Sequence, residues 1–480
     1  MHPPHIVQTL LYYVVSQAPA ILDEELRKDQ AGFRKSFTTI DHLHAFAQIQ
    51  EKASEWQIEL WTCFLDFQKA FDSVEHTAIW KSLENQGGSG SYIEILKRLY
   101  ASQVGRVAVG SQTSRAFVLG RGTKQGDPLS TLLFNSVLED LFRDVRAKWE
   151  SRKFALEMSV GADCRLSNLC FADDVLLLAS SAKELTEMIK DLIEAAARRG
   201  LEAHDGKTMV LTNASGTSSR RLPSSLDIDG RSFKVLASTE STKWLGRKVR
   251  FHDPHEQELS NRIAAAWGAF TKHKEELTSR RFRLRDRLKL FNAVVSSTVL
   301  YGCECWTLRI DQQRRLRTVQ RRMLRMLLNA KRARLVATSS EHSSSEAEED
   351  TEEVDVLEPW SEFLKRTARW TEEQLIQSGQ SEWLDTWRSR QWRWACNLVT
   401  KDAEKWSAIA TIWQPLLHSS RPRGRAQARP KKRWDADIVS FLRQALPGNQ
   451  DSWPTQAKNK TEWMKHIDKF VKHCSDIIVS

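Results

Sequence analysis

Long apolar runs are missing from this chain of 480 residues, of which 41% are hydrophobic and 28% are charged. The longest candidates, such as Ile6 to Val15, are broken by polar residues, whereas a membrane-spanning helix needs about 20 consecutive apolar residues. No basic stretch precedes an apolar one at the N-terminus, so the sequence does not predict a secretory signal. We therefore expect a nuclear or cytoplasmic protein that is neither secreted nor embedded in a membrane.

Paired cysteines are missing as well. The seven cysteines form no Cys-x-x-Cys pair, which argues against a disulfide scaffold and a zinc finger. The segment Cys303-Glu304-Cys305 has no second cysteine or histidine pair at ligand spacing, so we interpret it as a packed segment. Acids are outnumbered, since 72 Lys and Arg residues face 61 Asp and Glu residues and the net charge is +11. Such an excess indicates contact with nucleic acid or another anionic surface.

The charge is spread unevenly along the chain. A single acid interrupts the basic stretch from Arg309 to Arg334, which favours phosphate contact, with Arg321 and Arg322 as candidates. Ser339 to Glu358 then carries many acids and no Lys or Arg, a composition that predicts a flexible linker. Before it, short apolar strands alternate with amphipathic helices, and after it the chain is helical and rich in Trp and Arg. The predicted parts are residues 1–250, 251–337, 338–358 and 359–480.

Three carboxylates lie where predicted strands end. Leu60 to Leu65 is typical of a buried strand, and it runs directly into Asp66. The segment from Asn168 to Ala179 predicts two strands with Asp173 and Asp174 at the tip of the hairpin between them. Two unrelated surface turns would explain the acids equally well, but if the strands are neighbours the carboxylates converge. Such oxygen ligands suit Mg²⁺, and two ions about 3.5–4 Å apart support phosphoryl transfer.

Further motifs make the sequence resemble the reverse transcriptases of non-LTR (LINE-type) retrotransposons. The blocks follow in the family's order between residues 30 and 246. The fingers block is Gln30 to Arg34. The four palm blocks, of which the third is the catalytic hairpin, are Asp66 to Val74, Gly122 to Ser130, Phe171 to Asp174, and Gly200-Leu201 with Lys207-Thr208. The primer-grip turn is Trp244 to Gly246. The similarity continues in thumb-side segments and a basic C-terminal tract, at Leu300 to Leu308, Gln320 to Leu324, Arg421 to Arg425 and Arg429 to Ile438.

This resemblance implies an α+β fold with a right-hand polymerase palm, partial fingers and a helical thumb, followed by a mostly helical basic C-terminal region. The implied function is an RNA-directed DNA polymerase that uses two Mg²⁺ ions, an RNA template, a DNA primer or target, and dNTPs. Little sequence precedes Gln30, and neither an endonuclease block nor a CCHC knuckle is visible. The chain is therefore expected to be the C-terminal portion of a retrotransposon polyprotein.

The resemblance also implies roles for single residues. Asp66 and Asp173 are the metal-binding acids, and Asp174 supports them as the third member of the catalytic set. Lys207 is the candidate that donates charge or a proton to departing pyrophosphate. Phe71 matches the bulky residue beneath the sugar of an incoming nucleotide, where a ring leaves no space for a 2′-hydroxyl.

Other positions are expected to bind substrate or primer. Gln125 and Gly126 would position template and nucleotide, and Arg34 would meet template or triphosphate. Trp244-Leu245-Gly246 would place a ring and a tight turn under the primer end. Phosphate contact or nuclear targeting are the expected uses of the basic cluster Arg429, Lys431, Lys432 and Arg433.

Some of these residues also have structural interpretations. Asp127 can cap a helix that Pro128 begins, and Asp72 is predicted to cap the helix that follows it. Trp392 and Trp394, interleaved with arginines, fit either stacking on RNA bases or a helical core. Two alternatives for the whole chain stay open. One is a catalytically silent remnant that only binds nucleic acid, and the other is a group II intron-type maturase, against which the Tyr301-Gly302 segment and the Trp- and Arg-rich tail argue.

Overall fold

The structure is a computed structural model that describes residues 26–101, 103–124, 127–158, 164–214, 222–338, 353–400, 403–415, 432–445 and 452–479. The chain divides into two units: Met1–Pro254 with Asn397–Arg433, and His255–Cys396 with Trp434–Ser480. The first division lies close to the predicted boundary at residue 250, whereas the predicted C-terminal region is shared between both units. No described helix is long and apolar enough to span a membrane.

Helices and strands are mixed, as expected for an α+β fold. The described strands, in chain order, are β1 (Trp61–Leu65), β2 (Val104–Gly105), β3 (Ala108–Val109), β4 (Gln112–Thr113), β5 (Phe117–Val118), β6 (Leu156–Glu157), β7 (Arg165–Leu166), β8 (Asn168–Phe171), β9 (Asp174–Ala179), β10 (Met209–Thr212), β11 (Ser225–Ile228), β12 (Arg231–Leu236), β13 (Thr242–Trp244), β14 (Arg247–Val249), β15 (Arg334–Thr338) and β16 (Glu353–Leu357).

The described α-helices, in chain order, are α1 (Thr39–Trp56), α2 (Ala70–Ser73), α3 (His76–Asn85), α4 (Gly90–Ala101), α5 (Pro128–Ser151), α6 (Ala182–Ala197), α7 (Pro254–Lys272), α8 (Lys274–Thr278), α9 (Leu284–Phe291), α10 (Ser297–Val299), α11 (Ile310–Leu327), α12 (Trp360–Gln377), α13 (Trp383–Thr400), α14 (Trp406–Ile412), α15 (Ala436–Ala445), α16 (Trp453–Ala457), α17 (Lys460–Lys465) and α18 (Ile467–Val479). A π-helical turn covers Asn292–Ser296, and a 3-10 turn covers Cys303–Cys305. Both cysteines of that turn are buried, in agreement with a packed segment.

A six-stranded sheet with the order β11-β12-β10-β1-β9-β8 organises the first unit. The central strand β1 is antiparallel to both β9 and β10, whereas β10 and β12 are parallel. All five residues of β1 are buried, because Cys63 faces the core beneath α5 and α6 while Phe64 faces the opposite side and packs on Phe46 of α1 at 5.9 Å. Burial on both faces explains why β1 does not alternate between apolar and polar residues. Its one polar residue, Thr62, is satisfied because its Oγ1 donates to the backbone oxygen of Leu211 at 2.8 Å.

Helix α6 follows the prediction made from its sequence. The sequence predicts a helix from Ala182 to Arg199 with Gly200 as its stop, and the observed helix spans Ala182–Ala197. The side chain of Ser181 accepts a hydrogen bond from the backbone N–H of Glu184 and caps the first turn. Gly200 has φ +77°, a left-handed conformation that is common just past a helix end.

Helix α14, distant in sequence, packs against α1 in the same unit. The Nζ of Lys52 donates to the backbone oxygens of Ala410 and Thr411 at 2.6 and 2.7 Å, and to that of Trp413. These carbonyls belong to the C-terminal end of α14, where a helix leaves its oxygens unpaired and a cation is favourable. His44 lies at the same contact, with its Nε2 2.9 Å from Oγ1 of Thr411.

Acidification is expected to destabilise the chain through His44. Burial, together with the nearby charges of Lys52 and Arg247, lowers the pKa of His44 to about 3. The unfolded chain, with an imidazole pKa of about 6.5, then binds more protons between those values, so the free energy of unfolding falls as the pH falls below 6.5. Urea titrations between pH 7.5 and 5 give the free energy of unfolding at each pH. Its dependence on pH should be shallower in His44→Gln than in the wild type, by up to about 1.4 kcal/mol per pH unit. An unchanged slope would contradict this assignment.

The second unit is a helical assembly built around buried tryptophans. Trp306, Trp383 and Trp387 share one core with α7, α9 and α11. Trp392 of α13 stacks on Trp463 at 3.9 Å, and each indole N–H donates to the backbone oxygen of the other residue at 3.0 Å. Burial of polar aromatic groups is favourable when their N–H finds such a partner.

This packing decides one open alternative for the C-terminal half and corrects one prediction. Trp392 is fully buried and Trp394 is 8% exposed, so neither ring is available to stack on RNA bases. The segment predicted as a flexible acidic linker contains a strand, because β16 pairs antiparallel with β15. Glu358 at its end is buried and accepts hydrogen bonds from Arg366 at 2.9 and 2.8 Å. Residues 339–352 lie outside the described residues.

Candidate active site

Strand pairing brings the three predicted carboxylates to one edge of the sheet. Strands β8 and β9 form an antiparallel hairpin in which Phe171 is opposite Asp174, so Ala172 and Asp173 make the turn. Strand β1 lies beside β9 with Leu65 opposite Val175. Asp66 therefore follows β1 at the level where β9 begins. The predicted hairpin is confirmed, with the difference that Asp174 belongs to the strand rather than to the turn.

Desolvation and neighbouring acids raise the pKa of Asp173 and of Asp174. Desolvation raises the pKa of Asp173, and the negative charge of Asp66 raises it as well. A hydrogen bond from its own backbone and the positive charge of Lys207 act in the opposite direction and lower it. Although Asp174 keeps solvent contact, desolvation by the surrounding chain raises its pKa to about 6, helped by Asp173 and Asp66. Like charges held this close resist simultaneous ionisation, so the cluster favours the arrival of a cation.

Lys207 lies beside the first of these acids. Its Nζ is 3.3 Å from Oδ2 of Asp66, with Lys207 64% and Asp66 34% exposed. The turn that carries Lys207 is anchored to the strand end, because the N–H of His204 donates to the backbone oxygen of Asp66 at 2.7 Å. Oγ1 of the buried Thr208 accepts from the N–H of Asp66 at 3.4 Å. A half-exposed ion pair of this kind adds little stability, which leaves the lysine available for chemistry.

The donor set fits a hydrated divalent cation. Oδ2 of Asp66 is buried and makes no hydrogen bond, despite the nearby ammonium group. Buried polar atoms are rarely left unpaired, and a carboxylate oxygen in this situation is a natural metal ligand. Within the part of the chain that is described, no group of three or more His, Cys, Asp or Glu side chains is arranged to hold a metal ion by itself. An open carboxylate site that takes further ligands from water and substrate phosphates is the form that magnesium uses.

A cradle of three residues, Gln30, Gly32 and Asn135, holds the turn between β8 and β9. Oε1 of Gln30 accepts from the backbone N–H groups of Gly32 and Ala172 at 2.8 and 2.9 Å. Nδ2 of Asn135 donates to the backbone oxygen of Gly32 at 2.7 Å. Ala172 has φ +55°, an unfavourable conformation for a non-glycine residue, so the turn depends on such support. The sequence predicted a fingers block here and missed this function of Gln30, since Gln30 and Ala172 are 142 positions apart.

Substitution Gly32→Ala is expected to displace the catalytic turn. A β-carbon at this position would lie 2.2 Å from the backbone nitrogen of Ala172, a distance that the backbone must relieve by moving. We expect a loss of about 3 kcal/mol in the free energy of unfolding and a marked loss of nucleotide incorporation, both measurable on the purified chain. Gly90→Ala is the matched control, because an added β-carbon there meets nothing within 4 Å. Equal behaviour of both variants would contradict the contact.

The block that begins at Gly122 docks on the segment after Asp66. The N–H of Gly122 donates to the backbone oxygen of Val74 at 2.7 Å, and that of Thr123 donates to the oxygen of Phe71 at 2.6 Å. Asp127 caps α5 as predicted, accepting from the N–H of Leu129 at 3.0 Å. Asp72, by contrast, is not a cap, because it lies inside the short helix α2. Gln125 and Gly126, expected to bind substrate, lie outside the described residues.

Phe71 lies between two other rings. It stacks on the buried Phe134 with ring centroids 4.4 Å apart, and it meets the exposed Phe33 edge-on at 6.5 Å. The ring is half-buried, so one side is held by the core while part of it stays accessible. This placement is compatible with the predicted role beneath a sugar, which stays a prediction.

Arg34 is engaged within its own segment. Its Nη1 donates to the backbone oxygens of Arg27 and Gln30 at 2.7 and 3.0 Å, and its guanidinium lies over the ring of Phe37 at 4.5 Å. Arg34 therefore stabilises the segment that includes the cradle. Its predicted contact with template or triphosphate stays a prediction.

The predicted primer-grip segment is a tight hairpin. Leu245 and Gly246 connect β13 to β14 with φ values of +45° and +75°, as a two-residue hairpin turn requires. The expectation that Trp244 presents its ring to a primer is wrong, because the ring is 3% exposed and packs on Phe46 and Phe64 at 5.7 and 5.9 Å. Whether the turn itself meets a primer stays a prediction.

Several of the predicted phosphate contacts are already paired. Arg321 donates to Oε1 of Glu382 at 3.1 and 3.0 Å, and Arg322 lies over Trp267 at 5.4 Å. Nε of Arg433 donates to Glu55 of α1 at 3.0 Å. These arginines would have to exchange an internal partner for a phosphate. Lys432 is half-buried, and Arg429 and Lys431 lie outside the described residues.

Comparison with known proteins agrees with this arrangement. Residues 6–249 match the family described as "Reverse transcriptase (RNA-dependent DNA polymerase)". The chain is 30% identical over 184 residues to a "Retrovirus-related Pol polyprotein from type-1 retrotransposable element R2" of Popillia japonica, covering 38% of this chain and 29% of that protein. It is 25% identical over 311 residues to a "Putative uncharacterized transposon-derived protein" of Caenorhabditis elegans, covering 63% of this chain and 95% of the relative.

A structural comparison gives a more distant likeness. The telomerase of Candida albicans, solved in complex with a fragment of telomeric RNA, aligns with a TM-score of 0.41 at 11% identity, covering 66% of this chain and 56% of that one. In the sequence comparison, the match covers 29% of the length of the R2 polyprotein, which is well under two thirds.

Proposed function

The chain belongs to the reverse transcriptase family, and we propose that it acts as an RNA-directed DNA polymerase of a non-LTR retrotransposon. The reaction adds dNTPs to the 3′-hydroxyl of a DNA primer opposite an RNA template. The observation that carries the proposal is the convergence of Asp66, Asp173 and Asp174 at one sheet edge, with Lys207 beside them. Polynucleotide synthesis needs such a carboxylate cluster to hold cations against triphosphate.

The parts of a right-hand polymerase are assigned as follows. The six-stranded sheet with α5 and α6 is the palm, since it carries the acids. Residues 26–38 and the helices that precede the palm blocks supply partial fingers, and residues 255–337 supply a helical thumb. The excess of Lys and Arg over acids, which gives the chain a net charge of +11, supports contact with the phosphates of template and primer.

The catalytic set is assigned to four side chains. Asp66 and Asp173 would hold two magnesium ions, with Asp174 in support. Bound there, the ions stabilise negative charge on the attacking and the leaving oxygens. Lys207, whose Nζ lies 3.3 Å from Oδ2 of Asp66, would give a proton or its positive charge to departing pyrophosphate. General acids of this kind must lie within hydrogen-bond reach of the leaving oxygen, which a long exposed side chain allows.

The remaining assignments concern substrate selection. The accessible side of Phe71 would lie beneath the sugar and exclude a 2′-hydroxyl. Gln125 and Gly126 would position template and nucleotide beside it. The hairpin turn at Leu245 and Gly246 would support the primer strand, with Trp244 as its buried anchor.

The test is primer extension by the purified chain on an RNA template with dNTPs and Mg²⁺. Extension that requires both the metal and the RNA template is expected. Binding of template and primer without incorporation, over a range of metals and templates, would instead support the alternative of a silent remnant that only binds nucleic acid.

A further inference from the structure

Helix α14 is connected to the hairpin of β8 and β9 through buried hydrogen bonds. Trp406, the first residue of α14, is 2% exposed, and its indole N–H donates to Oδ1 of Asp29 at 2.5 Å. The two residues are 377 positions apart and belong to the same unit. A hydrogen bond to a buried carboxylate is among the stronger ones in proteins, so this contact fixes Asp29 relative to α14.

Asp29 in turn pairs with the strand that leads into the catalytic turn. Its backbone oxygen accepts from the N–H of Cys170 at 2.7 Å, and the N–H of Ala31 donates to the oxygen of Cys170 at 2.9 Å. Residues 29–31 thus add a short extra pairing to the outer edge of β8. Nε2 of the buried His42 lies 2.9 Å from the oxygen of Asp29 and 3.0 Å from that of Cys170. Since both partners are carbonyl oxygens, Nε2 carries the proton and donates to both.

The last step joins this pairing to the turn itself. Gln30, next to Asp29, accepts from the N–H of Ala172. It thereby holds the strained residue of the turn, which directly precedes Asp173. Asp29 is held from a second direction by the guanidinium of the buried Arg146 at 3.7 Å. The path from Trp406 to Ala172 therefore consists of two buried hydrogen bonds joined by the peptide between Asp29 and Gln30, and a satisfied buried network of this kind fixes the position of the groups that it joins.

We propose that Trp406, Asp29 and Gln30 form a brace through which α14 positions the catalytic turn. All three are positioning residues, because none of them belongs to the carboxylate set. The proposal deepens the proposed polymerase function and rests on it for its consequence in catalysis. Helix α14 begins at residue 406, about 230 residues beyond the last carboxylate, Asp174. This distant helix therefore contributes to the position of the residues that incorporate nucleotides.

Hydrogen–deuterium exchange of the full chain tests the brace without requiring activity. Trp406→Phe keeps a buried ring but removes the N–H that Asp29 accepts. The amides of residues 168–174 should exchange about ten-fold faster, the factor expected for losing one hydrogen bond to a charged group. Trp413→Phe is the matched control, because Trp413 is also 2% exposed and ends the same helix while Asp29 keeps its partner. Amides of β10 serve as the internal reference.

Kinetics supply the second measurement. If the chain polymerises, Trp406→Phe should lower kcat while KM for dNTP and Kd for template and primer stay at their wild-type values, and Trp413→Phe should keep kcat. Equal protection of residues 168–174 in both variants would overturn the brace, whether or not the chain is active. If Trp406→Phe does not fold, Asp29→Asn replaces it. Asparagine keeps the shape of the side chain but weakens the bonds from Trp406 and Arg146. Unchanged exchange protection of residues 168–174 in Asp29→Asn would also overturn the proposal.

Discussion

Asp173→Asn is expected to lower dNTP incorporation by about a thousand-fold. The asparagine keeps the shape of the side chain but loses the charge that holds a cation against the triphosphate. Metal ions at such sites supply several kcal/mol of stabilisation to the transition state, and each 1.4 kcal/mol is about a factor of ten in rate. Single-turnover incorporation at saturating template, primer and dNTP measures the chemical step directly.

The same variant should not lose stability. In the folded chain, desolvation and the charge of Asp66 already raise the pKa of Asp173, so the ionised carboxylate is disfavoured there without a metal. Removing it relieves repulsion, and the melting temperature in EDTA should be equal to that of the wild type or higher. The rise in melting temperature that Mg²⁺ gives the wild type, by binding the folded state, should be absent.

Asp229→Asn is the matched control for this experiment. Asp229 lies in the turn between β11 and β12 of the same sheet and pairs with Lys190 at 3.1 Å on the surface. Its φ of +49° suits asparagine as well as aspartate. This variant should keep both activity and the effect of Mg²⁺. If Asp173→Asn retained wild-type incorporation, the assignment of the carboxylate cluster would be wrong.

The carboxylate cluster could be predicted because its signals are local. The run from Leu60 to Leu65, apolar apart from Thr62, indicated a buried strand, and two acids between apolar runs indicated a hairpin. Pairing of β1 with β9 then determines that Asp66 and Asp174 lie close together. A one-residue shift in register would have turned these side chains to opposite faces, so the prediction depended on the strand boundaries.

The brace and the burial of aromatic rings could not be predicted in the same way. Contacts such as Trp406 with Asp29 join residues that no local pattern connects, and an indole beside arginines fits a surface as well as a core. The strand β16 was different, because its sequence did contain a signal. Glu353-Val354-Asp355-Val356-Leu357 begins with polar and apolar residues in alternation, the period of a strand, which the overall acidity of the segment concealed.

Phe71→Val is expected to raise the use of ribonucleotides relative to deoxynucleotides. Phe71 is five positions beyond Asp66, and its ring is held against Phe134 at 4.4 Å, so it cannot turn away from a sugar placed over its accessible side. Valine removes most of the ring and with it the collision with a 2′-hydroxyl. The diagnostic quantity is the ratio of kcat/KM for the two sugars, which should change by roughly ten-fold or more in favour of the ribonucleotide.

Loss of ring packing accompanies the substitution and has to be separated from the change in specificity. Truncating the half-buried ring should cost about 2 kcal/mol of folding free energy and lower kcat/KM for both sugars alike. Phe134→Leu is the matched control, since it removes the stacking partner of Phe71 while Phe134 itself is fully buried and cannot touch a substrate. That variant should lose stability with an unchanged sugar ratio. If the ratio in Phe71→Val also keeps its wild-type value while Asp66 and Asp173 remain essential, Phe71 is an ordinary packing residue and another side chain must read the sugar.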